Sequence, residues 1–329
     1  MPVRCRELTR ETLPMPVRHE LPPEVRRKAL AIGPAGQEWL EGLDAFVREL
    51  EQEWAIEVHE VLHGGSGGLV ATANLADGTA AVLKLAIPDG LYGHSDFRRE
   101  LEVMLLGQDH GYARVVRYDE KRRVMMTERL GRSVAALDLP VARQIDVIAS
   151  TLRRGWVRVE DGADLRTGEE QAGWLYDAIA TDWERQGRPC SERVARTAQR
   201  FALARRDAFD PARAVLVHGD AHPANVLADR LDGDEHGGFK LIDPDGMRSE
   251  PAHDLAIPLR GWSEQLLAGD AGALGRAWCG RLAEVAGIDP EPIWQWAFVE
   301  RVSTGLFLLR LGDPLGAQFL EVAERWCDA

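Results

Sequence analysis

The stretch Val215-Leu-Val-His-Gly-Asp-Ala-His-Pro-Ala-Asn-Val-Leu227 decides how this chain folds. Its apolar ends predict two buried strands, and the polar residues between them predict a tight loop. A third apolar strand follows and ends on carboxylates, in Leu241-Ile-Asp-Pro-Asp-Gly246. The strand ends therefore bring Asp220, Asn225 and Asp243 into one candidate site.

The residue types at these three positions are those that phosphoryl transfer requires. Asp220 and Asn225 lie five residues apart, as do the aspartate and the metal-binding asparagine of a kinase catalytic loop. A carboxylate such as Asp220 accepts or orients the proton of an attacking hydroxyl. The Asn225 amide oxygen and the Asp243 carboxylate suit Mg²⁺, which prefers oxygen ligands. Each residue alone would equally fit a turn between strands, so the interpretation depends on their order and spacing.

The motif His218-Gly-Asp-Ala-His-Pro-Ala-Asn225, followed by Ile242-Asp-Pro-Asp245, resembles the aminoglycoside phosphotransferase family, and within it the streptomycin 6-phosphotransferase group. The likeness extends from about residue 24 to the C-terminus. It implies an α+β fold of the two-lobed, protein-kinase-like type. We expect an extended lead-in at 1–23, a small β-sheet N-lobe at 24–130 and a mainly helical C-lobe at 131–329.

The resemblance also implies a reaction. ATP and Mg²⁺ are the expected cofactors, and the γ-phosphoryl group would pass directly to a hydroxyl of an aminoglycoside, with the 6-hydroxyl of a streptomycin-like antibiotic as the expected acceptor. Five residues of the C-lobe take roles by this likeness: Asp220 as the base, Asn225 and Asp243 at the metal, and His218 and Asp254 as supports of the loop. An N-cap role alone would also explain Asp254. Asp245 is a weaker candidate for contact with the substrate or the metal.

The N-terminal part offers a candidate nucleotide site. His63-Gly-Gly-Ser-Gly-Gly68 lies between two predicted strands, and a glycine-rich turn lets the backbone approach a phosphate. Ser66 and Gly67 are therefore candidates for nucleotide binding, and a flexible hairpin is the plain alternative. Lys84, within the apolar strand Ala81-Val-Leu-Lys-Leu-Ala86, would contact the ATP phosphates and a helix glutamate. A solvent-facing strand lysine is the alternative.

Two further parts of the nucleotide site have alternatives: the carboxylate that pairs with Lys84 and the segment that contacts adenine. The next predicted helix offers Glu100 and Glu102 as the partner of Lys84, and Glu100 is favoured because the apolar residues then share another face. The segment after two further predicted strands resembles the family's hinge, where backbone groups of Glu128 and Leu130 would meet adenine. A plain crossing between lobes is the alternative there.

Composition limits the partners. The 329 residues include 53 acidic and 40 basic side chains, a formal charge of −13. Such a surface repels nucleic acid and anionic membranes and favours a cationic small-molecule acceptor. No apolar run reaches the roughly 18 residues of a membrane span. The four cysteines show no paired spacing, which favours a reducing cytoplasm. The sequence does not indicate an oligomeric state.

Three functions remain open: an aminoglycoside kinase, a related kinase for another antibiotic or metabolite alcohol, and a nucleotide-binding pseudokinase that acts by interaction. The intact set of Lys84, Asp220, Asn225 and Asp243 counts against the third. Gly219 replaces the arginine that precedes the catalytic aspartate in many protein kinases, and no Ala-Pro-Glu signature follows. Both features favour a small-molecule kinase over a regulated protein kinase.

Overall fold

The computed structural model describes residues 20–63, 65, 67–88, 96–159, 165–233 and 237–328. The chain divides into two compact units, Met1–Gly93 and His94–Ala329, each with its own elements. The boundaries expected for the lead-in and the two lobes remain predictions.

The first unit, as far as the structure describes it, has two helices followed by three strands: α1 (Pro23–Ala31), α2 (Pro34–Trp54), β1 (Ile56–Val61), β2 (Gly68–Leu75) and β3 (Ala80–Ala86). β2 pairs antiparallel with β1 on one side and with β3 on the other. A tight turn at Asp77-Gly78 closes the second hairpin, with Gly78 in the left-handed region at φ +84°. The three strands expected from the sequence are confirmed to within one residue at each end.

Helix α1 is an element that the sequence analysis missed. A proline at its first position presets the helical φ, and Glu24 in the first turn favours the positive end of the helix. Its buried Val25 and Ala29 pack with Ile87. Two buried residues are too few to give the repeated apolar pattern that identifies a helix. α2 does show that pattern, with four buried residues at helical spacing: Leu43, Val47, Leu50 and Trp54.

The second unit is mainly helical. Its elements are α3 (Asp96–Gly107), β4 (Val115–Asp119), β5 (Val124–Glu128), α4 (Val141–Gly155), β6 (Arg166–Thr167), α5 (Gly168–Arg185), α6 (Glu192–Asp207), β7 (Val215–Val217), β8 (Val226–Ala228), β9 (Phe239–Leu241), β10 (Met247–Ser249), α7 (Pro251–Ala256), α8 (Ser263–Leu267), α9 (Ala271–Ala286), α10 (Pro290–Arg310) and α11 (Leu315–Trp326). The two further strands predicted from the sequence are confirmed as the antiparallel pair β4 and β5. No helix in the described part of the chain is both long and apolar enough to cross a membrane.

Helix α10 lies at the centre of this unit. It packs against α5, α6, α7, α9 and α11. Apolar residues occur around most of its circumference, and its buried aromatic side chains include Trp294, Trp296 and Phe298. A helix that is apolar on all sides is stable only when it is surrounded, so the neighbouring helices enclose α10.

Short strands position the polar loops of this unit. β10 pairs parallel with β6 and antiparallel with β7, and β8 pairs antiparallel with β9. Because Met247 is opposite Val217, the end of β7 lies beside the start of β10. The amide of Gly246 donates to the carbonyl of His218 over 3.0 Å at this point. The loop after β7 and the loop after β9 are therefore neighbours.

Candidate active site

Asp254 anchors the loop that follows β7. Its fully buried carboxylate accepts hydrogen bonds from the amides of His218 (2.9 Å) and Gly219 (2.8 Å) and from the indole nitrogen of Trp156 (2.9 Å). The N-cap of α7 is Glu250, and Asp254 lies inside the helix. The N-cap explanation of Asp254 is therefore wrong, because its carboxylate faces the loop and not the helix terminus.

His218 joins the two neighbouring loops. Its ring Nε2 lies 2.8 Å from the carbonyl oxygen of Ile242, and its Nδ1 accepts the amide of Asp220 over 3.1 Å. A carbonyl can only accept and an amide can only donate, so these partners assign the neutral tautomer with the proton on Nε2. The buried ring also stacks on Tyr112, with ring centroids 5.8 Å apart. The His218 ring thus ties the amide of Asp220 to the residue that precedes Asp243.

Asn225 and Asp243 lie at the same end of the β8–β9 hairpin. The amide of Ile242 donates to the carbonyl of Asn225 over 3.1 Å, which places Asp243 one residue beyond this contact. The Asn225 side-chain nitrogen donates to the backbone carbonyl of Asp220 over 3.0 Å. Because the amide nitrogen is used there, its oxygen is the atom left for a metal. The donor set fits Mg²⁺, which takes oxygen ligands.

Asp243 has an unusual backbone, with φ +57°. A non-glycine residue in this region costs about 1–3 kcal/mol, and such residues cluster at functional sites. Among the described residues, no group of three or more His, Cys, Asp or Glu side chains could hold a metal. The residues that would hold Mg²⁺ are therefore one carboxylate, Asp243, and the Asn225 amide oxygen, and Mg²⁺ is usually bound through one or two carboxylates together with substrate phosphates.

Part of the Asp245 side chain, two residues further on, reaches solvent, although protein atoms surround much of the carboxyl group. Desolvation by surrounding protein atoms and, after it, the negative charge of Asp220 raise the pKa of Asp245 above its ordinary value. A carboxyl group that resists ionisation beside another carboxylate is typical of functional sites. Asp245 therefore stays a candidate for contact with the acceptor.

Arg260 is a neighbour of Asp220 that the sequence analysis missed. Its Nη2 donates to Oδ1 of Asp220, and its Nη1 lies 3.7 Å from Oε2 of Glu300. Nε2 of His222 lies 3.5 Å from the other Asp220 oxygen, Oδ2. The candidate base is thus half-buried, with a cation on one carboxylate oxygen. No local motif in the sequence signals this contact, because 40 residues separate the two partners.

The first unit places Lys84 beside the glycine-rich turn. Lys84 is opposite Val70 in the β2–β3 register. A Cβ atom built on Gly67 would lie 3.9 Å from both Cε and Nζ of Lys84, and the Gly67 carbonyl accepts the amide of Ile87 over 3.0 Å. A backbone turn next to an ammonium group is a suitable phosphate site. Ser66 lies outside the described residues.

The two glutamates of α3 differ in burial. Glu100 is buried, with 8% of its surface exposed, whereas Glu102 is half-buried. A buried carboxylate requires a partner more strongly than a partly solvated one does. Whether Glu100 or Glu102 pairs with Lys84 remains a prediction.

Glu128, at the end of β5, uses its side chain within its own unit. Its Oε1 accepts the amide of Arg114 and the Nζ of Lys240, each over 2.7 Å. The amide of Glu128 donates to the carbonyl of Arg114 over 2.9 Å. Its backbone carbonyl therefore remains the candidate for adenine on this residue. Leu130 is buried two residues later, and its contact with adenine remains a prediction.

The chain is similar to known proteins over most of its length. The family model described as aminoglycoside/hydroxyurea antibiotic resistance kinase matches residues 53–312. The chain is 27% identical over 293 residues to a streptomycin 6-kinase of Streptomyces glaucescens, covering 87% of this chain and 89% of the relative. It is 31% identical over 275 residues to a hydroxyurea phosphotransferase of Kitasatospora aureofaciens, covering 79% and 76%.

The fold is also similar to that of solved phosphotransferases. An aminoglycoside phosphotransferase from Streptomyces rimosus superimposes with a TM-score of 0.51 at 17% identity, covering 79% of this chain and 98% of that structure. At this identity the likeness concerns the fold. It confirms the α+β, protein-kinase-like class that was expected from the sequence.

Proposed function

Because this chain belongs to the aminoglycoside/hydroxyurea antibiotic resistance kinase family, and is therefore a phosphotransferase with a hydroxyl acceptor, we propose that it inactivates an antibiotic by ATP-dependent phosphorylation. The acceptor we propose is a streptomycin-like aminoglycoside, at its 6-hydroxyl. The observation that carries the proposal is the rigid loop in which Asp254 holds the backbone before Asp220.

Each candidate residue has a part in this reaction. The acceptor oxygen forms a bond to the γ-phosphorus while the bond from that phosphorus to the β–γ bridging oxygen breaks. ADP leaves with the electron pair of the broken bond. The proton of the acceptor hydroxyl passes to Asp220. Asn225 and Asp243 would hold Mg²⁺, which supplies neutralisation of charge on the phosphate oxygens. Lys84 and the turn at Gly67 would orient the phosphates.

A second acceptor class is favoured by Arg260. The guanidinium on Asp220 places a positive charge where a cationic acceptor would otherwise bind. Like charges in one site repel, so a small neutral acceptor would meet less resistance there. The relative at 31% identity is named a hydroxyurea phosphotransferase, and hydroxyurea is a neutral hydroxyl compound.

A panel of acceptors should separate the two classes. We expect ATP-dependent phosphorylation of streptomycin, with a Michaelis constant that rises with salt, because the screening length falls from about 10 Å at 0.1 M to about 3 Å at 1 M. The measurement couples ADP release to streptomycin, other aminoglycosides, hydroxyurea, macrolides and neutral sugar alcohols, with mass spectrometry of each product.

Hydroxyurea is the matched control for the salt series, because a neutral acceptor has no long-range attraction to screen. Turnover of hydroxyurea alone would move the function to the second class. If no antibiotic in the panel gained a phosphoryl group, the proposed function would be wrong.

A further inference from the structure

Arg260 links the candidate base to a buried anion. One of its terminal nitrogens donates to Oδ1 of Asp220, and the other lies 3.7 Å from Oε2 of Glu300. Desolvation by burial works against the charged form of the guanidinium, but the carboxylates of Asp220 and Glu300 outweigh it and raise the pKa of Arg260. Arg260 is therefore a permanent cation between two carboxylates.

Glu300 is fixed in turn by His253. The side chains of both are buried, and Nε2 of His253 lies 2.9 Å from Oε1 of Glu300. Burial alone would raise the pKa of Glu300, but the hydrogen bond to His253, its charge and then that of Arg260 hold this pKa below its ordinary value. Glu300 thus stays ionised and attracts Nη1 of Arg260, whereas Asp220 accepts from Nη2.

The backbone that carries Arg260 is held as well. Arg260 ends a 3₁₀ turn at Ile257–Arg260. The buried guanidinium of Arg301 donates to the carbonyl of Leu259, to the carbonyl of Gly261 over 2.9 Å and to Oγ of Ser263 over 3.0 Å. These bonds fix the residues on both sides of Arg260. The backbone from which the Arg260 side chain extends is therefore held in place, and Glu300 contacts the guanidinium independently of Asp220.

We propose that Arg260 is a positioning residue for phosphoryl transfer: it occupies Oδ1 of Asp220, fixes the rotation of the carboxylate and leaves Oδ2 as the atom that takes the acceptor proton. The distance of 3.5 Å from Oδ2 to Nε2 of His222 exceeds the usual hydrogen-bond length, and 30% of the Asp220 side chain is exposed, so an acceptor hydroxyl can reach this side of the carboxylate. A charge-assisted bond from a guanidinium is strong and directional enough to hold one carboxylate orientation.

Three substitutions test this role, which rests on the proposed function for its acceptor. Arg260→Ala should lower kcat by about 10²-fold, the loss expected when a reacting group is misplaced by about 1 Å. The KM for ATP should stay unchanged, because Arg260 acts on Asp220. Arg260→Lys should lose less of the kcat than Arg260→Ala does, and added guanidinium ion should restore part of the kcat of Arg260→Ala.

Arg205→Gln is the matched control. It breaks another half-buried arginine–carboxylate pair, in which Arg205 lies 3.2 Å from Glu250 and does not contact Asp220.

Rates are measured with streptomycin and with hydroxyurea, and slow ATP hydrolysis, in which water replaces the hydroxyl, is measured in parallel. If wild-type protein phosphorylates neither compound, the proposed function fails while hydrolysis still reports on Arg260. Unchanged kcat in Arg260→Ala, or an equal loss in Arg205→Gln, would overturn the positioning role. Circular dichroism verifies that each variant is folded.

Discussion

Asp220→Asn should lower turnover by roughly 10²–10⁴-fold, the usual contribution of a positioned proton acceptor. Asparagine has nearly the same shape, and its side-chain oxygen can still accept from Arg260, so the loop should keep its structure. The affinity for ATP should change little. Steady-state rates of ADP release and calorimetric titration with ATP measure the two quantities separately.

Asp232→Asn is the matched control, because the side chain of Asp232 is 79% exposed and pairs with Arg230 at the surface. It removes the same charge from the same unit and should leave turnover as it is. Near-full activity in Asp220→Asn would show that another group takes the proton.

Asp254→Ala should unfold at a markedly lower temperature and lose activity. Removing its carboxylate leaves three donors, the amides of His218 and Gly219 and the Trp156 indole, without their buried acceptor. Each unsatisfied donor costs about 1–3 kcal/mol, and we take the lower end, about 3 kcal/mol in total, because the space left could admit water. For a unit of this size that corresponds to a drop in Tm of roughly 6–12 °C. Differential scanning calorimetry measures it.

Asp270→Ala provides the comparison. Asp270 is an exposed N-cap whose carboxylate accepts one amide, that of Ala273, over 3.0 Å. Removing the Asp270 carboxylate should lower the free energy of unfolding by about 1 kcal/mol, the usual value for a helix cap. A smaller effect at Asp254 than at Asp270 would mean that the loop does not depend on its buried carboxylate.

The sequence could predict the part of the site that lies within one short stretch. The spacing from Asp220 to Asn225 and the apolar runs on either side are local, and strand pairing then carries Asp243 next to them. The position of Lys84 beside the glycine-rich turn was predictable for the same reason, since the tight turn between β2 and β3 brings Lys84 back to the start of β2.

Contacts between distant segments could not be predicted. Arg260 and Glu300 come from a 3₁₀ turn and a buried helix, and only the packing of α10 brings them to Asp220. In the sequence, Glu300 is a charged residue within a largely apolar helix, and no motif around it points to Arg260 or Asp220. The side chain of Glu128 is a similar case, because its partners Arg114 and Lys240 belong to other strands and loops.

The left-handed backbone conformation of Asp243 lowers the stability of the fold at a position where a carboxylate is proposed to bind the metal. Glycine adopts this backbone without strain, so Asp243→Gly would relieve about 1–3 kcal/mol of backbone strain. Against this stand roughly 0.5–1 kcal/mol for the greater freedom of glycine in the unfolded chain and the loss of the interactions of the carboxylate. The same change removes a carboxylate proposed for the metal. On the backbone strain alone, selection for resistance to heat would favour replacing this aspartate, and with it the proposed metal ligand. Aspartate at this position is consistent with selection for catalysis over stability.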